Sequence, residues 1–312
     1  TKNGKYYDAK AVKTKNLEMY LVQDPKTAAQ NFDNGKVDYA TINSTLVDKY
    51  KGKDTFTTFN EGFLFYLNLN FQVKTLADKN VREALSYAIN RKDLCESVLK
   101  DGSRAATGMV PSQLSKSPAG KDFRDDADKY VSYDQKKAQE YLDAAKKELG
   151  TDTITVDLLY GTDESPMDTM AEYLQGSFSK LKGLKVNMVA TVKKDRIYNR
   201  EANGNFQVVC TRWGPDYADP TTYLNLALTD NSNNYGKYAN AKFDALMEQI
   251  QKESDLTKRW DLMIQAEKVM MEDMAYIPVF EKGAAALKAK NVKGLVVVPV
   301  GTPYTFKYVK LK

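Results

Sequence analysis

Apolar positions along the chain fall into two rhythms that take turns. Short, nearly continuous apolar runs such as VDYATI, ITVDLLYG, LKVNMVATV and FQVVC have strand character. Between them lie stretches with apolar residues three and four apart, such as DKNVREALSYAI and DQKKAQEYLDAAKKEL, which have helix character. This alternation predicts α/β layers with largely parallel strand pairing. NLEMYLV at 16–22, AYIPVFEKGAAAL, VKGLVVVPV and YTFKYVKL are further strand-like runs. EGFLFYLNLN at 61–70 is a long extended one, bounded by Asn60, Glu61 and Gly62, a turn signal where the chain passes from one lobe to another.

Helix ends carry their own marks. Asp24 ahead of Pro25, Asp78, Asn90 and Asp134 each precede a helical run as N-caps, and Gly102 and Gly150 are the expected stops. Residues 103–123 read as a loop rich in small and turn residues. In the two C-terminal amphipathic helices, NAKFDALMEQIQ and LTKRWDLMIQAEKVMMEDM, the methionines and leucines fall at core spacing.

Composition narrows the function. The 312 residues, 42% of them hydrophobic, suffice for a sizeable core and more than one lobe. No run approaches the roughly 18 apolar residues of a membrane span. The start, TKNGKYYDAK, lacks the features of a signal peptide, so any export signal is expected to have been removed or to lie upstream. The formal charge of +5 is spread among interspersed acids, which argues against a nucleic-acid partner. Histidine is absent, and with it Ser-His-Asp and Cys-His catalysis, HExxH zinc sites and most transition-metal cages. No GxSxG, GxxxxGK[ST] or GxGxxG motif occurs, and no cofactor is expected. Cys95 and Cys210, far apart and outside any CxxC, read as small buried hydrophobes.

The chemically suggestive stretch is RWGPDYADPTTYL at 212–224, which follows FQVVC. A near-continuous apolar run predicts a strand covered on both sides. Asp219 and Pro220 explain its end: the carboxylate caps the next helix and the proline takes its first position. Asp216 sits before that cap, between Trp213 and Tyr217, at the carboxyl end of a strand, where open α/β sheets place ligands. Local physics weighs a turn-forming aspartate and a ligand carboxylate evenly. As a ligand group it would suit an amine.

RWGPDYADPTTYLNLALTDNSNNYGKYANAKFDALM resembles the signature region of the extracytoplasmic oligopeptide-binding proteins of ABC importers, the family 5 solute-binding proteins. PKTAAQNFDNGKVDYA, FLFYLNLN followed by KNVREALSYAINRKDL, YDQKKAQEYL and AYIPVF agree in order, so the resemblance covers essentially the whole chain. It implies a type II periplasmic-binding-protein-like α/β fold with two lobes clamped around a cleft. Because family members are several hundred residues longer, it also implies a fragment: mainly the C-terminal α/β lobe, residues 63–280, flanked by pieces of lobe one at 1–62 and 281–312. Asp216 matches the aspartate that binds the ligand's α-amino group. Thr211, Arg212, Trp213 and Gly214 match the segment whose main chain pairs with the peptide. Trp213 and Tyr217 would pack on its first residues, with Asn68 and Asn70 as weaker ligand candidates whose other role is to satisfy backbone at the crossover. Cys210 stands where some members carry a basic residue for the peptide's C-terminal carboxylate; Lys193, Lys194 and Arg196 are the substitutes at hand.

The resemblance further implies a non-enzymatic monomer, periplasmic or lipid-anchored, that captures oligopeptides and is recognised by membrane permease subunits. Two other classes stand beside it. One is a binding protein of the same fold for an oligosaccharide or chelated metal, although only Trp213 and Trp260 supply indoles and Trp260 reads as core. The other is a hydrolase using Asp216 and Asp219, against which the capping role of Asp219 argues.

Overall fold

A computed structural model describes residues 1–312. Seven strands form one mixed sheet: β1 (Tyr39–Ile42), β2 (Phe56–Leu69), β3 (Arg104–Ala105), β4 (Ile154–Gly161), β5 (Leu184–Thr191), β6 (Val208–Trp213) and β7 (Tyr276–Lys288). Their spatial order is β1-β7-β2-β6-β4-β5, with β3 also on β7. The α/β layering is as expected, but the pairing is not largely parallel. β2 and β7, the longest strands at 14 and 13 residues, run antiparallel to each other, and β2 is antiparallel to β6. Parallel pairing is confined to β4 with β5 and β4 with β6, where helices such as Met167–Phe178 return the chain to the same end of the sheet.

The caps form as the local chemistry dictates. Asp24 accepts from the amides of Lys26 and Thr27, Asp78 from Asn80, Asn90 from Asp93, and Asp134 from Lys136 and Lys137. Gly150 ends its helix at φ 67°, but the run after Asn90 ends earlier than Gly102: its last turn, Leu94–Leu99, is π-wound and Lys100 takes the left-handed position at φ 54°. The main core unites β2, β4, β6 and β7 with the helices on them, and the expected Met247, Met263, Met270 and Trp260 lie in it. A smaller cluster of Ala29, Ile42, Val47, Tyr50, Ala285 and Leu287 seats helices Pro25–Asp33 and Ser44–Tyr50 on the β1 end. Both cysteines are buried and free.

Two strand expectations fail. Residues 16–22 have strand composition but no neighbouring strand supplies hydrogen bonds, and Met19 and Leu21 are 79% and 95% exposed. The VKGLVVVPV and YTFKYVKL runs form only two-residue pairings, β8 (Val292–Lys293) with β11 (Lys310–Leu311) and β9 (Val296–Val297) with β10 (Tyr304–Thr305). Pro299, Gly301 and Pro303 interrupt the ladder there and turn the segment into a loop.

Candidate functional site

β6 is apolar over Val208 to Cys210 because both its faces are covered there. Val208 and Cys210 join the main core, while Val209 packs with Leu159 and Phe206. On one side β6 pairs with β2 from Val208↔Leu69 to Trp213↔Leu64. On the other it pairs with β4 only at Val208 and Val209. From Cys210 to Trp213 one edge of β6 therefore has no strand beside it.

Beyond β6 the chain turns at Gly214, Pro215 and Asp216. A Cβ on Gly214 would stand 2.5 Å from Cε1 of Phe63, so glycine lets the Phe63 ring lie against the strand end. The Asp216 amide donates to Oγ1 of Thr222 at 3.0 Å, which fixes the turn, while its exposed carboxylate has no hydrogen-bond or ion-pair partner. Asp219 holds the start of the next helix as read, but the helix begins one residue later, with Pro220 at the N-cap of Thr221–Leu224 rather than at its first position. Asp219 accepts from the Thr221 amide at 3.0 Å and takes a two-pronged contact from Arg259 at 2.6 and 3.1 Å. Burial pushes its carboxyl up, but the bonds from Arg259 and Thr221 outweigh that and hold it below the ordinary value.

A groove of about 690 Å³ opens at this turn. One wall is residues 212–216, the second is Phe59–Glu61 and Phe63 of β2, and the third is the proline-rich segment from Val298 to Tyr304. β2 bulges here, its register against β7 shifting between Asn60 and Leu64. Gly62 sits in the bulge at φ 81°, its amide held by Oδ1 of Asn60 at 2.8 Å and its carbonyl accepting from the Tyr223 hydroxyl at 2.6 Å. Burial pushes the Glu61 carboxyl up, and neighbouring Asp101 adds to this against Lys282 and Arg212.

Behind β6 lies a buried ionic cluster. Arg196, 2% exposed, donates through Nε and Nη2 to Oε2 of Glu164 at 3.1 and 2.8 Å, and through Nη1 to Glu201 and to Oγ1 of Thr211 at 2.8 Å. Lys193 and Arg212 approach Oε1 of Glu164 at 3.6 and 3.7 Å. Burial lifts the Glu201 carboxyl to about 7 despite the opposing pull of Arg196.

The structure gathers Arg212, Trp213, Gly214 and Asp216 into the groove. Arg212 stacks over Phe63 at 4.7 Å, and the indole N–H of Trp213 is buried without a partner. Thr211 contributes only main chain to the β6 edge, its hydroxyl being bound by Arg196. Tyr217 is 43% exposed and turned toward the following helix, where Asn225 donates to its hydroxyl at 3.1 Å. Asn68 and Asn70 lie elsewhere, 2% and 3% exposed near the other end of β2. Asn70 donates to the carbonyls of Gly204 and Phe206 and accepts from the Gln72 amide, so it satisfies backbone rather than facing the groove. Arg196 is not a free substitute for a carboxylate-binding cation, because Glu164 and Glu201 hold it in the interior.

Three features escaped the sequence reading: the bulge at Gly62, the ionic cluster and the 298–304 wall. The Pro and Gly spacing of VPVGTP was the available signal for the last, and Asn60-Glu61-Gly62 for the first. No local pattern distinguishes a buried arginine from a solvated one.

Comparison with known proteins places this geometry. Residues 1–235 match the family model of bacterial extracellular solute-binding proteins, family 5 (middle). The chain is 31% identical to a dipeptide-binding protein of Lactococcus lactis subsp. cremoris, over 99% of this chain and 58% of that protein. It superposes with a TM-score of 0.81 on the substrate-binding domain of an oligopeptide ABC transporter from Bacillus anthracis, at 31% identity over 99% of this chain and 61% of that one. Against Listeria monocytogenes OppA bound to peptide the TM-score is 0.80, again at 31% identity, over 99% and 60%. The chain thus spans about three-fifths of the length of these relatives, 58% to 61%. Its fold is the type II periplasmic-binding-protein-like α/β arrangement, corresponding to the C-terminal part of these longer chains. The matched family consists of solute-binding proteins rather than enzymes, which sets aside the hydrolase reading, as does the engagement of Asp219 by Arg259. The chain belongs to family 5 of the bacterial extracellular solute-binding proteins.

Proposed function

We propose that this chain is the ligand-holding part of a peptide receptor, and that the groove between residues 212–216 and 298–304 is where the peptide lies. One observation carries the reading: Arg212 and Trp213, the last two residues of the β6 edge that β4 leaves unpaired, line the same groove as Asp216 with its unpaired carboxylate. The main chain of Thr211 to Gly214 offers a peptide strand addition, which takes little notice of side chains, and Asp216 receives the terminal amine through charge-assisted hydrogen bonds. Trp213 packs on the first ligand residues, and its unpartnered indole N–H is available to an acceptor there. Tyr217, exposed beside the turn, borders the amine end.

Residues 63–280 then act as lobe two, and residues 1–62 and 281–312 as parts of lobe one. Phe59–Glu61 and 298–304, on the far side of the groove from Asp216, come from those flanks. The peptide binds one lobe, the other closes on it, and the closed monomer docks on the permease of an ABC importer. The protein works outside the cytoplasmic membrane, in a periplasm or held by a lipid anchor. Relatives named for peptide binding support the ligand class, and the groove holds one indole, Trp213, where a sugar site would stack several.

Calorimetry with matched free-amine and N-acetylated tripeptides tests the reading. Acetylation is expected to weaken binding at least tenfold, since a hydrogen bond to a charged group contributes about 1.5–3 kcal/mol. Equal binding of the two sets would remove the amine contact.

A further inference from the structure

Glu61 is a groove carboxylate that the peptide reading leaves without a task. Its nearest cation, Nζ of Lys282, stands 3.9 Å away and is engaged by Asp101 at 2.6 Å and by the carbonyl of Gly283. Arg212, across the groove, is drawn over Phe63 and toward Glu164. The Glu61 carboxylate therefore lines the groove with no hydrogen bond of its own, its side chain 38% exposed. Phe59 and Tyr304 line the same stretch, their rings edge to face at 6.0 Å. Tyr39, which does not line the groove, backs the Tyr304 ring edge to face at 5.7 Å. A partly exposed carboxylate whose one counter-ion, Lys282, is held closer by Asp101, beside the rings of Phe59 and Tyr304, is the chemistry that holds an organic cation.

We propose that Glu61, Phe59 and Tyr304 form a subsite for a cationic side chain of the ligand, so that the groove favours peptides carrying lysine or arginine at the residue reaching it. This rests on the peptide reading of the groove. Asp216 takes the terminal amine at one wall and Glu61 a side-chain cation at another, which makes the preference one of sequence rather than of peptide class.

The test is calorimetry of the wild-type chain and Glu61→Gln with Ala-Ala-Ala, Lys-Ala-Ala, Ala-Lys-Ala and Ala-Ala-Lys, each also in N-acetylated form. At least one lysine peptide is expected to bind the wild type about tenfold more tightly than Ala-Ala-Ala, by the usual contribution of a hydrogen bond to a charged group. In Glu61→Gln that ratio should fall to within about twofold of one. Tyr304→Leu, which leaves the charge in place, should lower the ratio severalfold, and it carries the test if circular dichroism shows Glu61→Gln misfolded. Wild-type affinities within twofold for all four peptides, no binding by any, or a preference that survives both variants would overturn the subsite. Acetylation separates the two ideas. A lysine preference that persists in acetylated peptides bound as tightly as free ones removes the Asp216 contact and keeps the subsite; loss on acetylation without any lysine preference does the reverse.

Discussion

Nη1 of Arg196 donates to the hydroxyl of Thr211 at 2.8 Å, tying a fully buried guanidinium to the strand whose end lines the groove. The same guanidinium is ion-paired with Glu164 and Glu201, so one side chain contacts two buried carboxylates and the site strand together. Arg196→Met should cost about 3–5 kcal/mol, the usual penalty for leaving buried charge uncompensated. Arg196→Lys should recover little of it, because an ammonium cannot reproduce the forked contacts. Urea unfolding of the three proteins checks this; an Arg196→Met change below about 1 kcal/mol would mean the cluster is not holding the strand.

Glu201 gives stability a pH dependence with a definite sign. Its carboxyl stands at about 7 in the folded chain against 4.5 ordinarily, with burial the main cause. The folded state thus binds more protons than the unfolded between those values, and stability falls as pH rises. The contribution is complete below about 4.5 and is lost as pH climbs through about 7. The ceiling for this shift is on the order of 3 kcal/mol. Glu201→Gln, neutral throughout, should lose less stability than wild type between about pH 5 and about pH 8 in urea titrations. Parallel pH profiles for the two proteins would contradict the assignment.

Asp216 and Asp219, three positions apart, should respond oppositely. Asp216→Ala removes a carboxylate with no partner, so unfolding should shift by no more than about 0.5 kcal/mol while peptide affinity drops tenfold to a hundredfold. Asp219→Ala removes a cap and the partner of Arg259, and should cost about 1–2 kcal/mol. Thermal melts alongside calorimetry distinguish the pair; a destabilised Asp216→Ala would return Asp216 to a turn role.

Gly62→Ala should damage the groove through the backbone. At φ 81° the added Cβ is strained by about 1–3 kcal/mol, and it would stand 2.1 Å from the carbonyl oxygen of Pro299, forcing the proline wall away. Gly35→Ala, at φ 69° with nothing within 4 Å, is the control that suffers only the backbone penalty of about 1–2 kcal/mol. Faster hydrogen exchange over residues 298–304 in the first variant and not the second is the expected outcome.

What could be read in the sequence was local. Asp24, Asp78, Asn90 and Asp134 cap their helices because a cap needs only the next three residues. Asp219 and Pro220 explained the turn after β6 for the same reason. Strand direction was not legible, since antiparallel pairing of β2 with β7 joins residues more than 200 positions apart. Residues 16–22 carry a strand's composition, but a strand also needs a neighbour's backbone, which composition does not encode. Arg196 and Glu61 looked like any other charged residues; what distinguishes them is which partners the fold brings near and which it keeps away.

The open edge of β6 has one more consequence. Unpaired backbone at a sheet margin accepts a strand from any source, including another copy of the same chain, and is a common start of aggregation. Here the margin is four residues long, Cys210 to Trp213; Pro215, two residues beyond it, has no amide hydrogen to donate; and the margin carries the charge of Arg212. Such a margin has room for a short, tethered segment and little for a growing fibril.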